Sequence, residues 1–256
     1  RRLALLTLLS VGTSPVRLVG GFLLATGPIS MWVSNTATTV MMLPIGLSVV
    51  RLLTGRLTGE EESNKTDASN FATALLLGIA YAASLGGFAT LVGTPPNIYF
   101  AGYMREQGLP IDFGRWMLFA TPLSIVYLLV AWWLLTRVLF PVRMQAIPGG
   151  RELILHEYRK LGPLSRGEWT VLVVFVCVAG LWMRDVPGVI PFLKEPWSWI
   201  TAHTPLFSVL DDSIIAMAGA IALFLIPIDL SKHVFALDWK TAVKLPWGVL
   251  LLFGGG

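Results

Sequence analysis

From Ala68 to Met104 the chain runs for thirty-seven residues without a formal charge, and no other feature restricts the fold as much. Crossing the hydrocarbon core of a bilayer takes roughly 20 residues of helix, so this run is too long for one straight crossing. It has no polar linker to divide it into two. A break inside the helix is the natural solution, and Gly93-Thr-Pro-Pro-Asn97 supplies it. Pro95 and Pro96 lack backbone N–H groups and clash with the preceding turn, which frees carbonyls upstream. Gly86-Gly87 adds local flexibility nearby.

A second charge-free run, Leu18 to Val50, surrounds a polar island, Ser30-Met-Trp-Val-Ser-Asn-Thr-Ala-Thr-Thr39. A lone Ser or Thr in such a run reads as a helix-packing residue. Ser34-Asn35-Thr36 followed by Ala-Thr-Thr reads as a functional site, because Asn in hydrocarbon is costly unless it is paired or lines a cavity. The arms on either side, Leu18 to Val33 and Ala37 to Val50, are each too short to cross a bilayer. Both outer ends are basic, with Arg17 before and Arg51 and Arg56 after. This predicts a re-entrant helical hairpin over 18–56 whose tip reaches mid-membrane.

The other segments fit a polytopic membrane protein, as do 55% hydrophobic and 13% charged residues and a mean hydropathy of +0.71. Residues 1–17, interrupted by Gly12, Ser14 and Pro15, predict an interfacial helix. The region 115–140 predicts a transmembrane helix, and 141–166 a basic cytoplasmic arm whose middle, Glu152 to Leu161, can form a surface helix. Two further spans are expected within 167–230, Trp169 to Met183 and Ser213 to Ile228, and 245–256 opens another. The chain starts at Arg1-Arg2 and stops at Gly254-Gly255-Gly256 inside a new apolar run, which reads as an internal portion of a longer protein. The fold class expected is therefore an all-α polytopic membrane protein, present as a fragment, in the cell membrane.

Charge supports this layout. With the hairpin flanks cytoplasmic, Arg51, Arg56, Lys65, five basic residues of 141–166, Lys232, Lys240 and Lys244 fall inside. Arg105, Arg115, Arg184 and Lys194 fall outside, and eleven against four obeys the positive-inside rule. The net charge of +4 is thus a topology signal and does not indicate nucleic acid. Cys177 is single, so neither a disulfide framework nor a cysteine metal site is available. His156, His203 and His233 fall in loops or at span edges and read as surface residues. Asp211-Asp212 reads as a helix N-terminal cap, and Trp197, Trp199 and Trp247 as interfacial belt residues.

A hairpin tip and a helix break at similar depth can bind ions away from water. Freed carbonyls with Ser and Asn oxygens can replace a cation's hydration shell, while a half-helix start presents N–H groups and a positive dipole end to an anion. Ser34 or Asn35 can cap the second arm, leaving Asn35 and Thr36 to donate hydrogen bonds. Neither element contains Lys or Arg. Neutral donors with co-bound cations must then compensate an anion, which suggests cation-coupled anion transport.

Ser34-Asn-Thr-Ala-Thr, Met41-Met-Leu-Pro44 and Gly93-Thr-Pro-Pro-Asn97, in this order, resemble the first repeat of the divalent anion/sodium symporter family of sodium-coupled dicarboxylate, citrate and sulfate carriers. Leu245-Pro-Trp-Gly-Val-Leu-Leu-Leu-Phe-Gly-Gly-Gly256 is similar to that family's lead-in to its second hairpin. The resemblance implies an inverted-repeat transporter, a homodimer and an elevator-type transport domain built from 18–56 and 68–104, with 167–230 starting the scaffold of the second repeat. It implies a sodium site at Ser30, Ser34, Asn35 and Gly93 helped by Thr94 and Asn97, and a substrate site at Asn35, Thr36 and Ser34. Sodium is then the co-transported ion, with no organic cofactor and no transition metal. The family's second hairpin and second broken helix are not in this sequence, so the segment alone is not expected to transport. A dianion such as succinate is the expected substrate. A dicarboxylate exchanger on the same scaffold or an anion channel are the alternatives. An intramembrane enzyme is disfavoured, because the apolar segments contain no His, Asp, Glu or Lys to serve as general base or metal ligand.

Overall fold

The computed structural model describes residues 2–12, 14–54, 62–143, 150–183, 212–229, 234–243 and 248. The expected span at 245–256, apart from residue 248, and His203, His233, Asp211, Trp197, Trp199 and Trp247 lie outside the described residues. The chain divides into two compact units, residues 1–100 with 117–162, and residues 101–116 with 163–256.

In the first unit, α1 (Arg2–Val11) ends at Gly12, whose φ of 92° turns the chain into α2 (Pro15–Ser30). Proline suits the first helical position because its missing N–H would find no intrahelical partner there, so the first arm starts at Pro15, ahead of the expected boundary at Leu18. A turn over Met31 to Ser34 leads to α3 (Asn35–Thr54), followed by α4 (Glu62–Phe88). Glycines reveal how these helices run. A Cβ on Gly78 would meet Leu23 and Val19, and one on Gly86 would meet Gly27, so α2 and α4 ascend together. A Cβ on Gly46 would meet Ile79 and Phe22, and one on Gly87 would meet Asn35, so α3 runs back along both. Helices α2 and α3 are therefore the arms of a hairpin braced by α4. At 20 residues, α3 is longer than the second arm expected over Ala37 to Val50 and reaches crossing length, because its helix continues past the charge-free run through Arg51 to Thr54. Small residues at the crossings let the backbones approach, which is how helices associate where lipid removes the usual hydrophobic drive.

Helix α4 stops at Phe88, and an irregular turn over residues 89–94 precedes α5 (Pro95–Glu106). Helix α6 (Phe113–Trp133) continues as a π-helix over Leu134–Leu139. Its part in the first unit returns antiparallel to α4: Ser124 Oγ donates to Leu85 O at 2.6 Å, and Asn70 Nδ2 to Pro141 O at 3.3 Å. At its far end Trp132 Nε1 donates to Val16 O at 2.9 Å, tying α6 to the base of the hairpin. Helix α7 (Gly150–Arg159) packs on α1. Arg2 donates to both Leu161 O and Gly162 O just beyond the end of α7, at 2.7 and 2.6 Å. Leu5 and Leu8 of α1 are fully buried in protein together with Ile154 of α7.

In the second unit, Ser165 and Glu168 form a reciprocal capping box that starts α8 (Arg166–Trp182). It packs on α9 (Asp212–Leu225) where Gly219 abuts Val178. Asp212 accepts the Phe113 N–H at 3.3 Å through its carboxylate and the Trp182 indole N–H at 2.9 Å through its carbonyl. The span expected to Ile228 is shorter than that. Helix α9 has 14 residues, and Pro227 opens β1 (Pro227–Asp229), which pairs antiparallel with β2 (Val234–Phe235). A residue before proline is driven out of the helical region, which stops the helix at this point. Fourteen residues reach about 21 Å, less than the roughly 30 Å hydrocarbon core. The short α10 (Trp239–Ala242) follows, capped by Asp238. Helix dominates the described residues, and the β1–β2 pair is an addition that the sequence reading did not anticipate. Two described helices, Thr66–Phe88 and Phe113–Leu139, are long and apolar enough to cross a membrane.

Candidate functional site

The turn of the hairpin and the break after α4 meet in the first unit. Ser30, the last residue of α2, is fully buried, and its hydroxyl lies 2.6 Å from Ala83 O and 2.9 Å from Asn35 Oδ1. A hydroxyl carries one proton, so these three oxygens hold more acceptor capacity than there is hydrogen to fill it. That surplus suits a hard cation of low charge, which seeks oxygen ligands. Among the described residues no three His, Cys, Asp or Glu are grouped to hold a metal ion.

Three glycines bring the backbones this close. A Cβ at Gly86 would stand 2.2 Å from Gly27 O, one at Gly87 2.1 Å from Asn35 Oδ1, and one at Gly93 2.4 Å from Gly87 O. No side chain fits these positions without displacing a neighbour. The end of α4 is consequently laid directly on the Asn35 side chain, and the break on the end of α4.

Carbonyls released at the end of α4 are taken up by side chains. Asn97, 6% exposed, points its amide nitrogen at Gly87 O, Phe88 O and Thr90 O, at 3.1, 3.3 and 2.7 Å. Thr121 Oγ1 reaches Ala89 O at 3.4 Å. Thr90 donates its hydroxyl proton to Met31 O and accepts the Gly93 N–H at 3.0 Å. At α5, Pro95 and Pro96 bring no N–H, and the Asn97 N–H closes on Thr94 O at 3.1 Å. The break is therefore rich in acceptors and poor in backbone donors.

The turn of the hairpin has the opposite character. Ser34 caps α3: its Oγ accepts from Ala37 N at 3.4 Å, and its carbonyl accepts from Thr38 N at 2.9 Å. The 20-residue α3 then directs its first-turn N–H groups and positive dipole end outward past Asn35 and Thr36. Acceptors for a cation and a helix N-terminus for an anion thus stand side by side, with Asn35 belonging to both.

The predicted residues separate accordingly. Ser30, Asn35, Gly93 and Asn97 are brought together at the junction. Ser34 and Thr36 are exposed on the outer side of the first turn of α3, and Thr94 is half-buried at the lip of the break. Sequence reasoning missed Thr90, fully buried at the centre. It is a single threonine in apolar surroundings, a pattern that gives no signal beyond helix packing. Thr38, part of the polar island, is buried with its hydroxyl toward Val33 O at 3.4 Å.

Residues 1–256 match the sodium:sulfate symporter transmembrane region family along their whole length. The chain belongs to this family. Its members are symporters of the cell membrane with many spans, and the two long apolar helices accord with that setting. Among curated proteins, the chain is 38% identical over 257 residues to a sodium-dependent dicarboxylate transporter, SdcS, of Staphylococcus saprophyticus, and equally so to that of Staphylococcus aureus strain USA300. All of this chain is covered in both cases, and it spans 47% of each relative, about half of their length.

Proposed function

We propose that the protein carrying this chain is a secondary transporter that couples sodium entry to uptake of a small divalent anion, with C4-dicarboxylates such as succinate as substrate. The observation that carries this reading is the meeting of an acceptor-rich helix break, buried at Thr90, Gly93 and Asn97, with the half-exposed N-terminus of α3 at one junction that contains no charged side chain. Sodium, held by oxygens of Ser30, Asn35 and Gly93, offsets a dianion that meets Asn35, Thr36 and the first turn of α3. Ser34 orders that turn, Thr94 borders the break, and Asn97 holds it in shape. Without a fixed positive charge, a dianion alone is poorly compensated in this setting, so sodium must bind for the anion to bind well. The names of the staphylococcal relatives support both ions.

In this reading α2 and α3 form a re-entrant hairpin, and hairpin and broken helix move together as an elevator-type transport domain in a homodimer. A second, inverted repeat completes the substrate site. The test is uptake of labelled succinate into liposomes containing the full-length protein, with sodium or potassium outside and citrate or sulfate as competitors. Saturable, sodium-requiring uptake is expected. Uptake that instead requires internal dicarboxylate would replace symport by exchange, and non-saturating, sodium-independent flux would replace the carrier by a channel.

A further inference from the structure

We infer that Thr90 is a positioning residue whose hydroxyl registers the hairpin turn against the helix break and so sets how tightly sodium is held; the inference rests on the reading of this junction as the cation seat. Thr90 joins three segments. Its Oγ1 donates to Met31 O in the hairpin turn and accepts from Gly93 N in the break, and its own carbonyl accepts from Asn97 at the start of α5. One hydroxyl can serve as donor and acceptor at once, so both side-chain bonds coexist.

The consequences follow from neighbours in sequence. Met31 directly follows Ser30, whose hydroxyl faces Asn35 and Ala83 O. Gly93 is held by the same hydroxyl from the other side. Moving Thr90 Oγ1 therefore shifts two of the assigned sodium-binding elements relative to each other, although Thr90 itself need not touch the ion. Its methyl group and buried volume are kept in valine, while the bonds are not. Buried backbone groups that lose their partners are costly, so Met31 and Gly93 would rearrange to find others, and the register between turn and break would be lost.

The test compares Thr90→Val and Thr90→Ser in the full-length protein. Two quantities are read: the sodium concentration giving half-maximal succinate uptake, and the sodium-induced rise in thermal stability without substrate, against equal potassium. In Thr90→Val the half-maximal sodium concentration is expected to rise about tenfold or more, since loss of a buried bonding group is of that order in affinity. The KM for succinate at saturating sodium should stay within about twofold of wild type. Thr90→Ser should restore sodium dependence. Unchanged sodium dependence in Thr90→Val would overturn the inference, and so would equal damage in Thr90→Ser, because methyl packing would then be the cause. An equal shift in sodium and succinate would mean general disruption and would also overturn it. If wild type shows no sodium effect in either assay, the cation-seat reading fails and this inference with it. Should Thr90→Val not accumulate in the membrane, Thr90→Cys, a weaker donor and acceptor, takes its place. An intermediate shift is then expected, and wild-type behaviour would overturn the inference.

Discussion

Gly87→Ala is the substitution for which the structure gives the sharpest expectation. A Cβ at this position would lie 2.1 Å from Asn35 Oδ1 and 3.0 Å from its Cγ. The amide is the end of a side chain and can rotate away, so the variant should still fold. Restoring ordinary contact near 3.4 Å requires Oδ1 to move by about 1.3 Å, well beyond the ~0.5 Å tolerance of a preorganised site. That movement also separates Asn35 from Ser30, now 2.9 Å away. Displacements of ~1 Å at functional groups cost on the order of a hundredfold in activity. We therefore expect the half-maximal sodium concentration for succinate uptake to rise by about ten- to a hundredfold, or roughly 1.4–2.8 kcal/mol. Gly102→Ala in α5 is the matched control, because no atom lies within 4 Å of its Cβ position. Sodium titrations of uptake by both variants in liposomes, with membrane levels measured in parallel, decide the matter. A Gly87→Ala protein with wild-type sodium dependence would refute the placement of Asn35 in the cation seat.

Asn35→Ala and Thr36→Ala should each abolish uptake while leaving insertion and the unfolding midpoint normal; wild-type uptake by both would remove them from the substrate site. Gly93→Val places its Cβ 2.4 Å from the backbone oxygen of Gly87, where no rotamer gives relief, so loss of sodium activation is expected and retained activation would count against Gly93. Asn97→Leu withdraws the amide's two N–H donors from the Gly87 and Thr90 carbonyls; at about 1–3 kcal/mol for a buried group left unpaired, denaturant or thermal unfolding in detergent should show a clear loss of stability, and an unchanged midpoint would refute that role. No Asp, Glu, His, Lys or Arg occurs in 18–50 or 68–104. Sodium-induced stabilisation without substrate should accordingly show no inflection between about pH 6 and 8, and a clear titration in that window would mean that an ionisable group outside these segments takes part.

Much of the site was legible because its most costly features are written in residue types. Two adjacent prolines within a charge-free run require a break, and the structure places an irregular turn at 89–94 with Pro95 opening α5. Ser34-Asn35-Thr36 is a polar interruption of a charge-free run and marks a turn, and Ser34 is the cap. What escaped was carried by single small residues whose meaning depends on tertiary partners. Thr90 reads as packing until Met31 and Gly93 are seen on either side of it. Gly86 and Gly87 read as flexible, whereas they are close-contact positions against Gly27 and Asn35. The end of α9 and the β1–β2 pair were hidden for another reason. After Ser213 the stretch to Ile228 has no polar side chain, and hydropathy does not mark where a helix stops; Pro227 was the available signal.

Sodium-dependent thermal stabilisation of the purified full-length protein, measured without substrate in sodium against equal potassium, tests the central claim most directly. A ligand that binds only the folded state raises its stability by RT ln(1 + c/Kd) at free concentration c, so the gain grows with the logarithm of the sodium concentration above Kd. Wild type should be stabilised by sodium, and Ser30→Ala and Asn35→Ala should each lose that stabilisation while unfolding cooperatively in potassium. If both variants retain the full sodium response, the ion binds elsewhere and the junction of hairpin turn and helix break is not its seat.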